Sequence, residues 1–417
     1  MDVYLILVYT LSYIGLLATS FYIINLLTYY KTKKKPSPSI KKTVTIIIPA
    51  YNEEKSIAST INSAVSLNYS KENLEIIVID DGSKDKTYEI AREFISDKNQ
   101  KVRVFTKPNG GKGSALNLGI KKAGGEIIVT MDADTIVHPD SLKKMIGYFY
   151  DKEIVSVSPS MGIHNPKGIL RRVQQIEYYM GVFLRKSFAS MNAIHITPGA
   201  FSAYRKSFFE KYGGFDENNL TEDLEVALRI QSKDKIIENA EDAAVYTIGP
   251  GTFTSLLYQR RRWYIGLMKN LWAYRHLFGP KKGALGTIVL PTAVTTIVLS
   301  VTLTIYMLVK ALTRIKQEII SLNSINFQFT SAYELSSYMF EVAALTILSN
   351  KLVLLAALFI TLLWFYMYFS RKKMRYSENI KFSFVLFLAF YSFLFAFWWV
   401  ISALHLLLNR KILWRKT

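Results

Sequence analysis

Pairs of carboxylates follow two apolar runs of the chain and could bind a ligand there. Asp80 and Asp81 follow the first run, and Asp132 and Asp134 follow the second. Two carboxylates separated by one residue can share a hard cation and a diphosphate, and oxygen ligands suit Mg²⁺ or Mn²⁺ rather than zinc. We therefore predict a metal site at Asp132 and Asp134, with turn chemistry as the alternative. Asp80 and Asp81 could hydrogen-bond a base or ribose, or form a turn before a helix, and both interpretations stay open.

A glycine loop and an acidic triplet each precede a helical pattern. In the loop at residues 109–113 (NGGKG), the backbone could approach an anion closely and Lys112 could reach a phosphate. The spacing differs from that of a P-loop, so ATPase chemistry is not indicated, and a flexible loop is the alternative. Helix capping by itself could explain the triplet Thr221, Glu222 and Asp223, and it is the preferred interpretation from these residues alone. Its functional interpretation is that one carboxylate acts as a general base for a substrate hydroxyl.

Residues 259–263 (QRRRW) combine an amide, three guanidinium groups and an indole. A Trp ring can stack on a sugar or a cation, and Gln and Arg side chains can reach diphosphate oxygens. Arg and Trp are also common at a membrane interface, which is the structural alternative.

These residues need a scaffold that brings them together, and the apolar pattern predicts one. Short runs rich in Ile and Val predict buried strands at residues 44–49, 75–80, 102–106 and 126–131. Amphipathic stretches between them predict helices at residues 55–67, 86–96 and 114–122. This alternation predicts a mostly parallel α/β sheet covered on both faces. Ligands of such sheets bind beyond the carboxyl ends of the strands, where the polar residues stand.

Composition limits the class of protein. The 417 residues carry a net charge of +20 and include no cysteine, which excludes a thiol nucleophile, a thiolate metal site and a redox pair. Residues 3–30, 283–309, 352–370 and 382–409 contain no Asp, Glu, Lys or Arg, and each stretch is long enough to cross a bilayer. Because the basic residues gather beside these stretches, we assign the positive charge to membrane flanks and expect no nucleic acid partner.

The chain divides into four predicted regions. Residues 1–30 form a membrane span, 31–253 the cytosolic α/β domain, 254–282 an interfacial region and 283–417 about three further spans. The lysines after the first span put its start outside and the domain in the cytoplasm, on a multi-pass protein of the plasma membrane. Residues 254–278 have the pattern of a helix that lies on the bilayer. A half-span at residues 338–348 would place the basic C-terminal tail on the cytoplasmic side, and this topology stays open.

Five motifs in this order resemble those of family 2 glycosyltransferases. The sequence PAYNE at residues 49–53 is similar to the PxYNE of that family, and the first Asp, DxD, TED and QxxRW follow at the positions described above. The resemblance is to the membrane-integrated branch that contains the cellulose, chitin, hyaluronan and poly-N-acetylglucosamine synthases. Each motif is weak alone, but five in order between Pro49 and Trp263, flanked by spans, are highly specific.

The resemblance implies a Rossmann-like GT-A domain and a role for each motif residue. The residues implied to bind a UDP-sugar donor are Tyr51, Glu53, Asp80, Asp81, Lys112, Asp132, Gln259 and Arg262. Asp134 and Asp132 would hold Mg²⁺ or Mn²⁺, with Asp134 the direct ligand. Within the triplet of Thr221, Glu222 and Asp223, the base would be Asp223, and Trp263 would be the platform for the acceptor sugar.

The implied function is an inverting transfer of sugar from a UDP-sugar to a growing β-linked polysaccharide that enters the membrane. A single base facing the anomeric carbon gives one displacement and therefore inversion. The small number of spans favours an alternative, the transfer of one sugar to a lipid acceptor, as in ceramide-glucosyltransferase-like enzymes. A transporter or receptor is the remote third option, because the four spans contain none of the charged residues that an ion-coupled pathway uses.

Overall fold

The computed structural model describes residues 3–32, 36, 41–96, 101–324, 350–374 and 380–408. The predicted half-span at residues 338–348 and the basic residues after position 408 lie outside these ranges.

In the described part of the chain, eight strands form one sheet in the order β3-β2-β1-β4-β7-β6-β8-β5. The strands are β1 (Val44–Ala50), β2 (Leu74–Asp80), β3 (Lys101–Thr106), β4 (Ile127–Met131), β5 (Thr135–Val137), β6 (Ile154–Ile163), β7 (Phe201–Arg205) and β8 (Ile236–Thr247). The first four are parallel neighbours, β7 is antiparallel to both β4 and β6, β6 is parallel to β8, and β5 is antiparallel to β8. The predicted mostly parallel sheet is confirmed, and all four predicted strands end within one residue of the predicted bounds.

Helices cover both faces of this sheet because its Ile and Val side chains point alternately to either side. The helices of the domain are α2 (Ile57–Val65), α3 (Thr87–Arg92), α4 (Lys112–Lys122), α5 (Ser141–Ile146), α6 (Ile169–Ser190), α7 (Lys206–Tyr212) and α8 (Glu222–Ser232). One core includes Ile46 and Ile48 of β1 with residues of α2 and α5, and the other includes Ile47 with residues of α4, α7 and α8. Helix α4 starts two residues before the predicted start at residue 114, so Lys112 opens the helix.

The remaining helices belong to the predicted membrane part. They are α1 (Val3–Thr32), α9 (Phe253–Ala273), α10 (Leu290–Ser324), α11 (Lys351–Met374) and α12 (Lys381–Leu407). Among the described residues, four helices are long and apolar enough to cross a membrane: Val3–Thr32, Leu285–Ser324, Lys351–Met374 and Lys381–Leu407. The second continues past the predicted end at residue 309, through Lys310, Arg314 and Lys316.

Polar contacts join these helices to the sheet domain. Glu241 on β8 lies 2.5 Å from Lys373 Nζ of α11, and it also accepts a hydrogen bond from the Tyr30 hydroxyl of α1. On α12, Ser383 donates a hydrogen bond to Gln175 of α6 over 3.3 Å. The end of α1, the end of α11 and the start of α12 therefore face the domain.

Substituting Gly125 is expected to destabilise the domain, because the chain is tightly packed before β4. An added Cβ would lie 2.6 Å from the Thr45 backbone nitrogen and 2.7 Å from the Val44 carbonyl carbon. Backbone atoms of a central strand cannot move away, so we expect Gly125→Ala to cost about 1–3 kcal/mol of stability. Thermal unfolding in detergent measures this effect. The matched control is Gly124→Ala, whose Cβ would meet only Glu75 Oε2 at 3.7 Å, and an equal loss in the control would contradict the argument.

Candidate active site

The candidate site lies where the parallel strands β1, β2 and β4 end. Since their carboxyl ends share one edge of the sheet, the residues that follow each strand meet there. After β1, the loop carrying Tyr51 and Glu53 pairs with the turn after β2. The Asn52 N–H donates to Ser83 Oγ over 3.0 Å, and the Glu53 N–H donates to Thr87 Oγ1 over 2.7 Å. The first two predicted motifs are therefore adjacent.

Asp80 and Asp81 hold this end of the site in different ways. Asp80 accepts hydrogen bonds from Thr106 Oγ1 at 2.9 Å and from the Ser83 N–H at 3.3 Å, which closes the turn. Neither carboxylate caps α3, because that helix begins only at Thr87.

The carboxylate of Asp81 fixes the glycine loop. It accepts the N–H of Gly110 at 3.0 Å and the N–H of Gly111 at 2.8 Å, and Lys107 Nζ lies 2.7 Å away. The loop is therefore held against the end of β2, which disfavours the alternative of a freely flexible loop.

Lys112 joins two of the predicted motifs. Its Nζ lies 2.7 Å from Asp132 Oδ1 after β4 and 2.9 Å from Glu222 Oε1 at the start of α8. The side chain crosses beside Gly199, where an added Cβ would lie 2.6 Å from Nζ. Although burial opposes the charge, the neighbouring carboxylates hold the pKa of Lys112 well above its usual range, with Asp132 the largest contributor. The ammonium group is therefore a fixed cation between the two motifs.

Asp223 lies beside this cation, with a perturbed proton affinity. Its Oδ2 accepts the N–H of Gly199 at 3.2 Å. Burial and the negative charge of Glu222 raise the pKa of Asp223 to about 6, while Lys112 and Arg262 partly offset that rise. For Glu222 the balance is reversed, because Lys112 and Arg262 outweigh burial and lower its pKa. The two neighbouring carboxylates therefore differ in chemistry, and Asp223 is the one poised to take up a proton near neutral pH.

Helix capping does not account for the triplet. Thr221 occupies the position before α8, but its side chain makes no capping hydrogen bond to that helix. Its hydroxyl accepts a hydrogen bond from Asn270 Nδ2 of α9 over 3.0 Å. Thr221 thus connects the triplet to the helix that carries QRRRW.

Asp132 and Asp134 offer carboxylate oxygens that a divalent cation could bind. Burial and the charge of Asp132 raise the pKa of Asp134 to about 7, and among the described side chains its carboxylate accepts a hydrogen bond from the Thr247 hydroxyl over 3.4 Å. Its carboxylate therefore has free capacity for a cation. Within the described ranges, no cluster of three or more His, Cys, Asp or Glu side chains could hold a metal alone. The two carboxylates fit Mg²⁺ or Mn²⁺ if the substrate or water supplies the other oxygens.

Helix α9 places one of the QRRRW side chains, Arg262, beside the acidic triplet. Arg262 Nη1 donates to the Leu220 carbonyl over 3.3 Å, directly before the triplet. Gly266, one turn further, permits close approach, since an added Cβ would lie 2.3 Å from Thr221 Oγ1. The buried Gln259 Oε1 accepts no hydrogen bond within the described ranges, and Trp263 is half-buried. A position on the membrane surface alone does not explain these contacts.

The structure brings together the acidic motifs, Lys112 and Arg262, and it adds residues that no motif marks. Asn270 bonds to Thr221, and Glu177 of α6 lies 2.7 Å from Arg260. Both are polar residues on amphipathic helices, and their spacing in the sequence carries no signal. Only their three-dimensional neighbours give them a role.

Part of the chain is similar to known proteins. Residues 45–213 match the family described as Glycosyl transferase family 2. The poly-beta-1,6-N-acetyl-D-glucosamine synthase of Staphylococcus aureus (strain COL) is 32% identical over 241 residues, 57% of this chain and 58% of that protein. The protein of the same name from Staphylococcus epidermidis is 31% identical over 268 residues, 61% of this chain and 64% of that protein. The chain thus spans about three fifths of the length of the curated relatives it matches.

Among solved structures, the chain resembles the mannosyltransferase PcManGT from Pyrobaculum calidifontis, determined in complex with GDP-Man and Mn²⁺. The TM-score is 0.57 at 20% identity, over 88% of this chain and all of that chain. At this identity the similarity concerns the fold. It confirms the predicted GT-A-like sheet domain joined to a helical region.

Proposed function

We propose that the protein transfers sugar from a nucleotide sugar to a growing β-linked polysaccharide, with inversion, because residues 45–213 match glycosyl transferase family 2. One observation carries this proposal. Lys112 joins the metal-binding motif to the acidic triplet, at 2.7 Å and 2.9 Å, so a cation, two metal-ligand candidates and a base share one site. A nucleotide-sugar transfer needs these groups at both sides of the bond that breaks.

The donor would bind along the edge between β1 and β4. In our proposal Tyr51, Glu53 and Asp81 hold the nucleoside and Asp80 supports them, since their loops pair with one another after β1 and β2. Lys112, Arg262 and Gln259 would contact the diphosphate. Two cationic side chains and an amide stabilise the negative charge that develops on the leaving group.

Asp132 and Asp134 would hold the metal ion, with Asp134 as the direct ligand. Bound there, Mg²⁺ or Mn²⁺ would supply positive charge that makes the nucleoside diphosphate a better leaving group. Burial and Asp132 raise the pKa of Asp134 even though Lys112 partly offsets that rise, and a metal cation would stabilise the ionised carboxylate further.

Asp223 would accept the proton of the acceptor hydroxyl as that oxygen attacks the anomeric carbon. Attack opposite to the leaving diphosphate in a single displacement inverts the configuration. Trp263 would form the face on which the acceptor sugar lies, since indole rings stack on the apolar faces of sugars.

Release of nucleoside diphosphate tests the transfer itself. Purified protein would be incubated with UDP-N-acetylglucosamine, UDP-glucose, UDP-glucuronate or GDP-mannose, each with Mg²⁺ or Mn²⁺ and with or without chelator. We expect UDP release from UDP-N-acetylglucosamine, the sugar in the relatives' names, and loss of release with chelator. Release of GDP alone would overturn the proposed donor, and no release with any donor would overturn the proposed activity.

A second function, transfer of one sugar to a membrane lipid, stays distinct from polymer synthesis. The described part of the chain has four candidate spans, which is few for a self-contained polymer path. The synthase relatives favour the polymer. Formation of long products without added lipid would reject the lipid acceptor.

We further propose a multi-pass protein of the plasma membrane whose domain faces the cytoplasm. The helix ends that contact the domain support this orientation, together with Lys31 and Arg371 beside them. Because the chain lacks cysteine, single cysteines can report the sides. We expect an impermeant maleimide to label Lys121→Cys only after the cells are permeabilised, and Asn350→Cys in intact cells. The reverse pattern would contradict the orientation.

A further inference from the structure

Arg260, the second residue of QRRRW, does not contact the donor side of the site. Its side chain is only 2% exposed, and Nη2 lies 2.7 Å from Glu177 Oε2 on α6. The guanidinium carbon lies 4.3 Å from the ring centroid of Trp263, and 5.7 Å from that of Trp398 on α12. Arg260 therefore lies within cation–π distance of two indole rings, while one of its nitrogens pairs with a carboxylate.

We propose that Glu177 is a positioning residue that sets the orientation of the Trp263 ring through Arg260. The inference rests on the proposed function, in which Trp263 forms the platform for the acceptor sugar. In the described chain Glu177 forms one ion pair, with Arg260, and accepts a hydrogen bond from Tyr391 of α12; neither partner is a proposed donor-binding residue, so we assign Glu177 to the acceptor side.

The charges explain why Arg260 depends on Glu177. A guanidinium group on the face of an indole is attracted to it, but a buried cation without a counter-ion is strongly disfavoured. The side chain of Glu177 is 21% exposed, so it neutralises the buried charge while remaining partly hydrated. The Nε of Arg260 is buried and has no hydrogen-bond partner among the described residues. Without this carboxylate the buried charge of Arg260 is no longer neutralised, and we expect the guanidinium group to move away from Trp263.

The residue after Glu177 on α6 also interacts with one of the proposed metal ligands. Tyr178, the residue after Glu177, interacts electrostatically with Asp134 as well as with Arg260 and Glu177. The Glu177–Arg260 pair therefore lies near the proposed reacting groups. A change in the angle of Trp263 at this place would alter acceptor binding before it altered donor binding.

Steady-state kinetics separate this role from a purely structural one. The donor is UDP-N-acetylglucosamine and the acceptor is a β-1,6-linked N-acetylglucosamine oligosaccharide. For Glu177→Gln, we expect KM for the oligosaccharide to rise about tenfold, while KM for the donor and its slow hydrolysis in water change less than about twofold. Arg260→Met is expected to match it, and the double variant to add little, because the two residues act as one unit.

The matched control is Glu241→Gln, which removes a different buried carboxylate that pairs with a helix of the membrane part. Glu241 lies 2.5 Å from Lys373 on α11. We expect this variant to lose thermal stability but to keep the wild-type KM for the oligosaccharide. An unchanged oligosaccharide KM in Glu177→Gln, or an equal rise in the control, would overturn the inference.

A measurement without turnover keeps the inference separate from the proposed function. The protein would be labelled with 5-fluorotryptophan, and the ¹⁹F signal of Trp263 assigned with Trp263→Phe. We expect Glu177→Gln to shift or broaden that signal and Glu241→Gln to leave it unchanged. An unmoved signal in Glu177→Gln overturns the inference, whether or not sugar is transferred. Wild-type protein that transfers no sugar overturns the proposed function instead, and with it the acceptor role of Trp263.

Discussion

Replacing Asp223 with asparagine is expected to lower kcat for sugar transfer by about a thousandfold, because the amide cannot accept the proton of the acceptor hydroxyl. Asparagine has nearly the same shape and can still accept the N–H of Gly199, which now donates to Asp223 Oδ2 over 3.2 Å. Donor binding should therefore persist. The measurement is kcat from nucleoside diphosphate release, together with the Kd of UDP by calorimetry.

The dependence of the rate on pH tests the same assignment. Burial and Glu222 raise the pKa of Asp223 to about 6, and a base works only when it is ionised. The wild-type rate should therefore fall as the pH drops through about 6. This fall is the acid limb of the pH–rate profile, and Asp223→Asn should lack it. Glu225→Gln on the same helix, whose carboxylate contacts Arg229 and Tyr274, is the control and should keep the limb. Full activity in Asp223→Asn would remove Asp223 as the base.

Replacing Lys112 with methionine has the second largest expected effect. The ammonium group lies within 2.9 Å of both Asp132 and Glu222, so its loss leaves these carboxylates without their shared cation. We expect the rate at pH 7 to fall about a hundredfold, because the variant lacks a positive charge that stabilises the leaving diphosphate in a partly buried site. Because Lys112 lowers the pKa of Asp223, the acid limb should also move to higher pH.

The controls for Lys112→Met distinguish charge from shape. Lys112→Arg keeps the charge and should leave the acid limb near its wild-type position. The bulkier guanidinium group is expected to reduce the rate. Lys107→Met removes the cation beside Asp81, at the other end of the site, and should not move the limb. A limb that stays in place in Lys112→Met would contradict the electrostatic link between Lys112 and Asp223.

The sequence predicted the sheet well because its signal is local. Runs such as residues 44–49 and 126–131 are rich in Ile and Val, a composition typical of a strand buried on both faces. The order of motifs likewise placed Asp80, Asp132 and Asp223 at one edge. The other four strands, β5 to β8, were not predicted. Strands β5 and β7 are short, and β6 and β8 mix polar and small residues with their Ile and Val.

Contacts between segments that are distant along the chain could not be predicted from the sequence. Lys112 was predicted to reach a phosphate, whereas its contacts in the protein are Asp132 and Glu222, 20 and 110 positions away. The pairing of Glu177 with Arg260 depends on how α6 packs against α9, which no periodicity encodes. For Thr221, capping was the preferred interpretation from the residues alone, since nothing local reveals its bond to Asn270.

The size of the product tests the central claim most directly. Purified protein in Mg²⁺ would be supplied with ¹⁴C-labelled UDP-N-acetylglucosamine without added lipid, and the products would be separated by length before and after digestion with a β-1,6-N-acetylglucosaminidase. Asp223→Asn is run in parallel. Our account predicts long labelled chains that the glycosidase degrades and that the variant does not make. Label confined to a single sugar on lipid, or long chains made equally by Asp223→Asn, would contradict it.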